Sequence, residues 1–361
     1  MVPAIIIRMD AVIRKVIEAG ICAPSGENSQ PWRFRPEGMS IRLFDAPESD
    51  RSLYNFEGRG TLVAHGAAIE NMVITGNAEG YVTEVQLFPD NNNPHCIALL
   101  RLTKQSKQMK GVELARYVPL RTTNRKPYRG DALKPDAVQA IEEAARAHAS
   151  GATLTRVLDR PNMARLSHVG ATNERIMLGN KELHEFFFTH LTWTSEEDGR
   201  KRRGFFIKTL ELPAPVQVLF RLFAHWPVMA VLKRIGFPVL VGKGNAATYA
   251  ASAELGIITI PSEEREDFIQ AGRLFERIWL SAAAHNVSFQ PLTGTIFMGF
   301  FTKHVNRGHF SKGERALIME QLQALADTVG SKGVPALMYR LGYAEPPTAR
   351  ARRFDFDSFL V

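Results

Sequence analysis

A repeated order of secondary structure constrains this chain more than any other feature of its sequence. Apolar residues at helical spacing in 9–23 precede a strand-like segment at 41–44, and a second predicted helix, 135–148, precedes a strand-like segment at 153–158. The two sets are separated by about 110 to 120 residues, which indicates a weak internal repeat. We therefore expect an α+β protein made of two related units.

Other segments extend both units. Helical spacing predicts helices at 65–78, 267–286 and 311–329, and β-branched or alternating apolar residues predict strands at 82–88, 97–102 and 336–341. A polar, lysine-rich stretch at 103–111 has the composition of a linker. We therefore divide the chain into a first half, 1–110, and a second half, 111–361. Residues of about 180–266 are rich in Phe, Leu and Trp and are interrupted by prolines, which favours an insertion in the second half.

Composition limits the class of protein. Of the 361 residues, 45% are hydrophobic and 23% are charged, which is typical of a globular protein. Cys22 and Cys96 have no nearby partner in a CxxC or Cys/His spacing, so we expect neither a disulfide framework nor a metal site. These features favour a cytoplasmic protein. The longest apolar region, 212–241, is broken by charged residues, so the sequence predicts no transmembrane helix.

The stretch Ala-Pro-Ser-Gly-Glu-Asn-Ser-Gln-Pro-Trp at 23–32 combines a turn with hydrogen-bonding side chains. Pro24 and Gly26 favour a tight loop, and Ser25, Asn28 and Gln30 add polar groups beside it. Such a loop suits a flat polar ligand, although a short proline-serine-glycine loop alone is more often a plain capped turn.

Two further segments have the residue types of an anion-binding site. In Arg-Thr-Thr-Asn-Arg at 121–125, two arginines four residues apart flank Thr122 and Thr123, and both guanidinium groups are candidates for one phosphate. Near the end of the chain, Arg350, Arg352 and Arg353 form a basic tail. Either segment is also consistent with a solvated basic turn.

The segment Phe-Gln-Pro-Leu-Thr-Gly at 289–294 follows a long predicted helix. In a purely structural interpretation, this segment only connects a helix to a strand. Its functional interpretation depends on the two other motifs.

Taken together, these motifs resemble the nitroreductase family of flavoproteins, with the signature Ala-Pro-Ser-x-x-Asn-x-Gln-Pro-Trp at 23–32. The resemblance is to the Acg-like branch, and it implies a nitroreductase-like fold in which two fused halves mimic the family's homodimer, with central antiparallel sheets flanked by helices and a helical, lid-like insertion. It implies FMN as the cofactor and one complete site assembled from both halves. The cofactor-binding residues that it implies are Pro24, Ser25, Gly26, Asn28, Gln30, Arg121, Thr122, Thr123, Arg125, Pro291, Leu292, Thr293, Gly294, Arg352 and Arg353.

The implied activity is that of an FMN-dependent oxidoreductase, which takes hydride from NAD(P)H at flavin N5 and reduces a small organic acceptor. Two alternatives remain open: a non-catalytic flavin-binding or flavin-sequestering protein, and a flavin oxidase or dehydrogenase that uses no nicotinamide. The sequence singles out no catalytic side chain. We expect a monomeric pseudo-dimer or a higher homo-oligomer.

The net charge of +8 and the isoelectric point near 9.5 suit an anionic partner of some kind. The basic cluster at 200–203 has no accompanying nucleic-acid-binding motif, so we expect no nucleic-acid partner. Residues 212–241 are apolar with basic edges, which is consistent with core, with a lid over the flavin or with peripheral membrane contact. We favour the lid and leave the membrane alternative open.

Overall fold

The computed structural model describes residues 9–105, 111–147, 151–306, 308–330 and 333–361. The predicted boundary at 110/111 adjoins residues 106–110, and most of the predicted linker therefore lies outside the described residues. Within the described residues, helices and two four-stranded antiparallel sheets form the α+β architecture that the sequence predicts.

The first sheet is built entirely from residues before 105. Its elements are α1 (Ala11–Ile21), β1 (Trp32–Glu37), β2 (Ser40–Asp45), α2 (Arg59–Ala78), β3 (Tyr81–Leu87) and β4 (Cys96–Lys104). Helix α1 begins where the Asp10 carboxylate accepts a hydrogen bond from the Val12 N–H, 2.7 Å away, and buries the stripe Ile13, Val16 and Ile17. Pro36 is tolerated because β1 is an edge strand.

The second sheet and its helices come from the rest of the chain. They comprise α3 (Pro135–Ala147), β5 (Thr153–Val157), α4 (Arg160–Gly179), α5 (Lys181–Thr189), β6 (Leu191–Thr192), α6 (Ser195–Lys201), β7 (Phe205–Phe206), α7 (Ala214–Phe223), α8 (Trp226–Arg234), α9 (Phe237–Ala250), β8 (Glu254–Ile260), α10 (Arg265–Ala284), β9 (Ser288–Pro291), α11 (Gly294–His304), α12 (Lys312–Val329) and β10 (Val334–Gly342). The short strands β6 and β7 pair with each other and belong to neither large sheet.

The two large sheets have the same topology. The strand order is β1-β2-β4-β3 in the first and β5-β8-β10-β9 in the second, and every neighbouring pair is antiparallel. In chain order, the strands of the second sheet correspond one by one to those of the first, and α10 occupies the place of α2. The weak repeat in the sequence is therefore a repeat of the fold, with extra helices between β5 and β8 and between β9 and β10.

The equivalent helices α2 and α10 cross in close contact. A Cβ atom on Gly66 would lie 2.1 Å from the Ile269 carbonyl oxygen, and one on Gly272 would lie 2.0 Å from the Val63 carbonyl oxygen. Only glycine permits two backbones to approach this closely. The contact is reciprocal, so each helix offers a glycine to the backbone of the other, as expected at an approximate two-fold axis.

The inserted helices pack around a separate apolar cluster, with Leu183, Phe188 and Met229 buried in it. The expected insertion, about 180–266, also includes β8, which is fully buried in the second sheet. In the described part of the chain, no single helix has the length and apolar composition to span a membrane. Helices α7 and α8 meet those criteria only as a pair, and they are bent by 101°.

Most helices and strands predicted from the sequence are present, with ends shifted by a few residues. The predicted helix at 65–78 begins earlier, at Arg59, and the strand at 41–44 is one residue longer at each end. Strand β1 and helix α11 were not predicted, because each begins inside a segment that we interpreted as a ligand-binding loop.

Candidate functional site

The loop at 24–32 has a strained backbone. Glu27, Asn28 and Gln30 have positive φ angles of 51°, 56° and 54°, a region that residues other than glycine rarely adopt. The Gln30 N–H donates to Ser25 Oγ at 3.0 Å, which closes the turn, while Gly26 lies exposed at its tip. Strain of this kind persists only where the surrounding structure holds the backbone in place.

Two amide side chains of the loop supply that support. Asn28 Nδ2 donates to the carbonyl oxygens of Arg202 at 3.0 Å and Arg352 at 2.7 Å, and Gln30 Nε2 also donates to Arg202 at 2.7 Å. The Phe354 N–H donates to Gln30 Oε1 at 2.9 Å. The hydrogen bonds of Asn28 and Gln30 thus fasten the loop to the inserted segment and to the carboxyl-terminal tail.

Arg121 is buried in an ion pair. Its Nε lies 2.9 Å from Glu276 Oε1, its Nη2 donates to the Cys22 carbonyl at 2.9 Å, and its guanidinium lies 4.3 Å from the ring centroid of Trp279. Burial raises the pKa of Glu276 to about 7, although the positive charge of Arg121 opposes the shift. The Arg121 carbonyl also accepts a hydrogen bond from Arg350 Nη2 at 2.7 Å, so Arg121 links α1, α10 and the tail.

The tail arginines diverge. Arg353 donates to the carbonyl oxygens of Ile21 at 3.0 Å and Ala23 at 2.8 Å and also bonds Asn28 Oδ1. Burial, followed by repulsion from Arg121, lowers the pKa of Arg353 to about 10. Arg352 instead lies on the surface, with its Nε 3.4 Å from Asp198 Oδ2. The tail therefore does not present both arginines to one point.

Arg125 lies in a different environment from Arg121. Its Nη1 donates to the Thr209 carbonyl at 3.0 Å, and its guanidinium lies 5.8 Å from the ring centroid of Phe205. Desolvation lowers its pKa. Among the described residues, no carboxylate lies within ion-pair distance of this guanidinium. Thr122 and Thr123, which precede it, are half-buried.

The segment at 291–294 connects β9 to α11. Pro291 ends the strand, and the Leu292 N–H donates to the Met338 carbonyl at 2.7 Å. Thr293 is the N-cap residue, and Gly294 begins the helix beside Asn173. A Cβ atom on Gly294 would lie 2.2 Å from Asn173 Oδ1, so the close contact requires glycine here. The first backbone N–H groups of α11 have no acceptor within the helix, and they point out of its amino end, where the 291–294 segment lies.

Between these segments lies a polar centre that sequence reasoning did not find, which we define as Glu27, Tyr54, Arg125, Glu174 and Tyr249. Tyr249 is buried, and the other four residues are half-buried. Tyr249 Oη donates to Glu174 Oε1 at 3.3 Å, and the charges of Glu27 and Glu174 both act on Tyr54. Burial raises the pKa of Glu174 and, more strongly, those of Glu27 and Tyr249. The centre therefore joins the loop of the first half to Arg125 of the second.

Two atoms beside this centre are unsatisfied. Asn173 Oδ1 and Glu174 Oε2 are buried, and neither has a hydrogen-bond partner among the described residues. An unpaired buried polar atom is costly, so such atoms commonly mark a place where a ligand or water binds. These two oxygen atoms act as acceptors, and the Arg125 guanidinium and the amino end of α11 act as donors. The set suits a flat, polar ligand that carries an anionic group.

No sequence motif identifies Tyr54, Glu174 or Tyr249. Tyr54 lies in a short helical turn, and Glu174 lies on α4 beside Asn173. The polar pair at 173–174, just before the apolar Ile176 and Met177, is the one local signal that sequence reasoning passed over. Across the described residues, no three His, Cys, Asp or Glu side chains are grouped so as to hold a metal ion.

The chain resembles known proteins along nearly its whole length. It is 27% identical over 344 residues to an uncharacterised protein of Mycobacterium tuberculosis, a match that covers 94% of this chain but only 46% of that protein. It is 24% identical over 354 residues to the M. tuberculosis protein named "Putative NAD(P)H nitroreductase acg", covering 95% of this chain and 93% of that one. No family model matches the chain. The chain is thus related to nitroreductase-family proteins of the Acg type, which confirms the resemblance that the sequence motifs indicate.

Solved structures give a looser likeness. An FMN-bound nitroreductase from Bacteroides fragilis aligns with 67% of this chain and 94% of its own, at 12% identity and a TM-score of 0.36. The FMN-dependent nitroreductase NfnB from Mycobacterium smegmatis, in complex with NADPH, aligns with 68% of this chain and 96% of its own, at 13% identity and a TM-score of 0.38.

Proposed function

We propose that this protein is a flavin-dependent oxidoreductase that binds FMN at the polar centre. The observation that carries the proposal is the meeting of three segments that the sequence had singled out separately. The 24–32 loop, Arg125 and the start of α11 at Gly294 all border a centre with unsatisfied buried oxygen atoms. The names of the sequence relatives support the same class of activity.

The residues present fit this cofactor. Arg125 is a desolvated cation that has no ion-pair partner in the described part of the chain, which suits the phosphate group, and Thr122 and Thr123 precede it as further donors. The amino end of α11 supplies backbone N–H groups beside Asn173 and Glu174. Bound FMN would supply hydride acceptance at N5 and onward electron transfer to a second substrate. The protein's own part is to orient the ring and to exclude water from it.

The proposal includes one site per chain, built from a first half, 1–110, and a second half, 111–361. The support for it is the shared strand order of the two sheets and the reciprocal contact between α2 and α10. In this arrangement the loop comes from the first half, while Arg125 and the 291–294 segment come from the second. NAD(P)H and a small organic acceptor are the proposed substrates, used in turn.

A flavin-binding protein without turnover is the second candidate, and one feature favours it. The inserted segment 198–209 contacts both the 24–32 loop and Arg125: the Arg202 carbonyl accepts from Asn28 and Gln30, the Gly204 N–H donates to the Glu27 carbonyl at 2.8 Å, and the Thr209 carbonyl accepts from Arg125. A segment fastened at so many points would hinder the approach of nicotinamide to a bound ring.

The deciding experiment uses the purified protein after incubation with FMN. We expect retained flavin absorbance, and a protein that stays colourless after this loading contradicts both candidates. The yellow protein is then mixed anaerobically with NADH or NADPH. Rapid bleaching of the flavin supports the oxidoreductase, whereas retained colour with full FMN binding supports the protein without turnover.

A further inference from the structure

Exposed apolar residues with basic neighbours are concentrated on the inserted helices α7 to α9. We call this region the α7–α9 surface and define it by Val218, Leu219, Leu222, Val231, Ile235 and Leu240, all exposed large hydrophobic residues. Val218 is 72% exposed and Ile235 is 77% exposed. Elsewhere in the described residues, exposed large hydrophobic side chains are scattered singly, as is normal for a protein surface. A concentration of exposed large hydrophobic side chains on neighbouring helices is typical of an interaction surface.

Helix α7 shows how little the protein itself covers this surface. Eight of the ten residues of its sequence, Ala-Pro-Val-Gln-Val-Leu-Phe-Arg-Leu-Phe, are apolar, yet none of the ten is buried. Val218 and Leu222 are four residues apart and so lie on the same side of the helix. Phe220 and Phe223 pack on the inserted cluster from the other side. Helix α7 therefore packs against the protein through one side and exposes apolar side chains on another.

The charge of this region has one sign. Residues 212–253 contain Arg221, Lys233, Arg234 and Lys243 and no Asp or Glu, whereas the whole chain mixes 45 basic with 37 acidic residues. Lys233, Arg234 and Lys243 are exposed, and among the described residues none of them is paired with a carboxylate. The basic groups are thus available to an external anion.

We propose that the α7–α9 surface binds peripherally to an anionic lipid membrane. Exposed aliphatic side chains bordered by unpaired basic residues are the combination that an interfacial helix uses, with its apolar edge among the acyl chains and its cations among the headgroups. The sharp bend between α7 and α8 suits helices that lie along the interface. A second copy of the chain fits less well, because pairing this surface with itself would bring like charges together. The proposal is independent of the proposed flavin chemistry.

The test is flotation of the full-length protein with lipid vesicles. We expect the protein to float with vesicles of equal parts phosphatidylcholine and phosphatidylglycerol, to remain behind with phosphatidylcholine alone, and to lose binding as salt is raised. Failure to float with the anionic vesicles at low salt would overturn the proposal.

Matched variants locate the contact. Val218→Gln with Leu222→Gln should abolish flotation, and Ile235→Gln provides an independent apolar variant, whereas Leu158→Gln, at an exposed position elsewhere, should behave as the unchanged protein. Lys233→Ala should weaken binding about fivefold and Lys312→Ala should not. All positions are exposed, and circular dichroism checks that the variants fold.

Two results would reject the membrane assignment. Flotation that is unaffected by the apolar variants would place the lipid contact elsewhere. A concentration-dependent dimer that Val218→Gln with Leu222→Gln dissolves, without any flotation of the unchanged protein, would assign the surface to a second copy of the chain.

Discussion

Arg121 and Arg125 belong to one five-residue motif, yet they lie in two different regions of the molecule. Arg121 points toward α1 and α10, where it pairs with Glu276 and donates a hydrogen bond to the Cys22 carbonyl oxygen. Arg125 points toward the inserted segment, where it bonds a carbonyl oxygen and contacts an aromatic ring. Two identical side chains at a spacing typical of phosphate-binding motifs therefore have different partners.

The difference separates a structural cation from a candidate ligand-binding cation. A buried guanidinium that already has a carboxylate partner gains little from a phosphate, because its charge is already compensated. A desolvated guanidinium that donates to a carbonyl oxygen and has no carboxylate within ion-pair distance among the described residues keeps a charge that a phosphate would stabilise. The two regions should accordingly respond to mutation in opposite ways, one in stability and the other in flavin binding.

The largest expected effect is on stability at Arg121. Arg121→Ala leaves Glu276 buried without its cation, and we expect the free energy of unfolding to fall by about 3–5 kcal/mol. Urea denaturation above the pKa of Glu276 measures the loss. Arg121→Met combined with Glu276→Gln should recover much of it, and Arg129→Ala, at an exposed position, is the control. A loss below about 1 kcal/mol for Arg121→Ala would show that the pair is not a stabilising contact.

The second effect is a dependence of stability on pH. Burial raises the pKa of Glu276 from 4.5 in the unfolded chain to about 7 in the folded protein, so the folded state binds more protons between these values. The protonated carboxyl group of Glu276 makes its whole contribution to the free energy of unfolding below pH 4.5. This contribution, on the order of 3 kcal/mol, is lost as the pH rises toward 7.

The measurement compares urea midpoints of the unchanged protein and of Glu276→Gln across this pH range. In Glu276→Gln, the urea midpoint should depend less steeply on pH between 4.5 and 7, and the remaining pH dependence should come from the other buried carboxyl groups. Identical slopes in both proteins would show that Glu276 does not titrate in this window.

The third effect concerns flavin affinity at Arg125. Arg125→Ala removes the cation without an ion pair, and we expect FMN to bind about 10- to 100-fold more weakly, as for the loss of a charged hydrogen bond. Stability should change by less than about 1.5 kcal/mol. Titration followed by flavin fluorescence measures the affinity, with Arg129→Ala as the control. An unchanged affinity would place the phosphate away from Arg125.

The smallest effect is expected at Arg352. Its side chain is 55% exposed and pairs with Asp198 across the surface, so Arg352→Ala should lower the free energy of unfolding by less than about 1 kcal/mol and leave FMN affinity nearly unchanged. If Arg352→Ala weakens FMN binding as much as Arg125→Ala does, the phosphate lies near the carboxyl-terminal tail. The assignment of the phosphate to Arg125 alone would then be wrong.

About half of the helices and strands were predicted, namely those with a clear local apolar periodicity, whereas helices α4 to α9 and α11 were not. The cofactor-binding role of residues 23–32, 121–125 and 289–294 stays a prediction. Sequence reasoning expected Asn28 and Gln30 to bind a ligand, and it did not predict that both side chains hydrogen-bond the main-chain carbonyl of Arg202. Tyr54, Glu174 and Tyr249 were missed because no local pattern distinguishes a tyrosine or a glutamate of the polar centre from one elsewhere in the fold.

The sequence by itself determined the α+β class, the repeat and the relationship to nitroreductase-like proteins, because these depend on periodicity and on contiguous motifs. Only the tertiary structure decided which arginine has a carboxylate partner, where the inserted segment meets the site and which aliphatic residues remain exposed. Glu276 lies more than 150 residues after Arg121, and Thr209 more than 80 after Arg125. The charge state and partners of a buried side chain are set by neighbours in space, and those neighbours are not encoded in any local stretch of the chain.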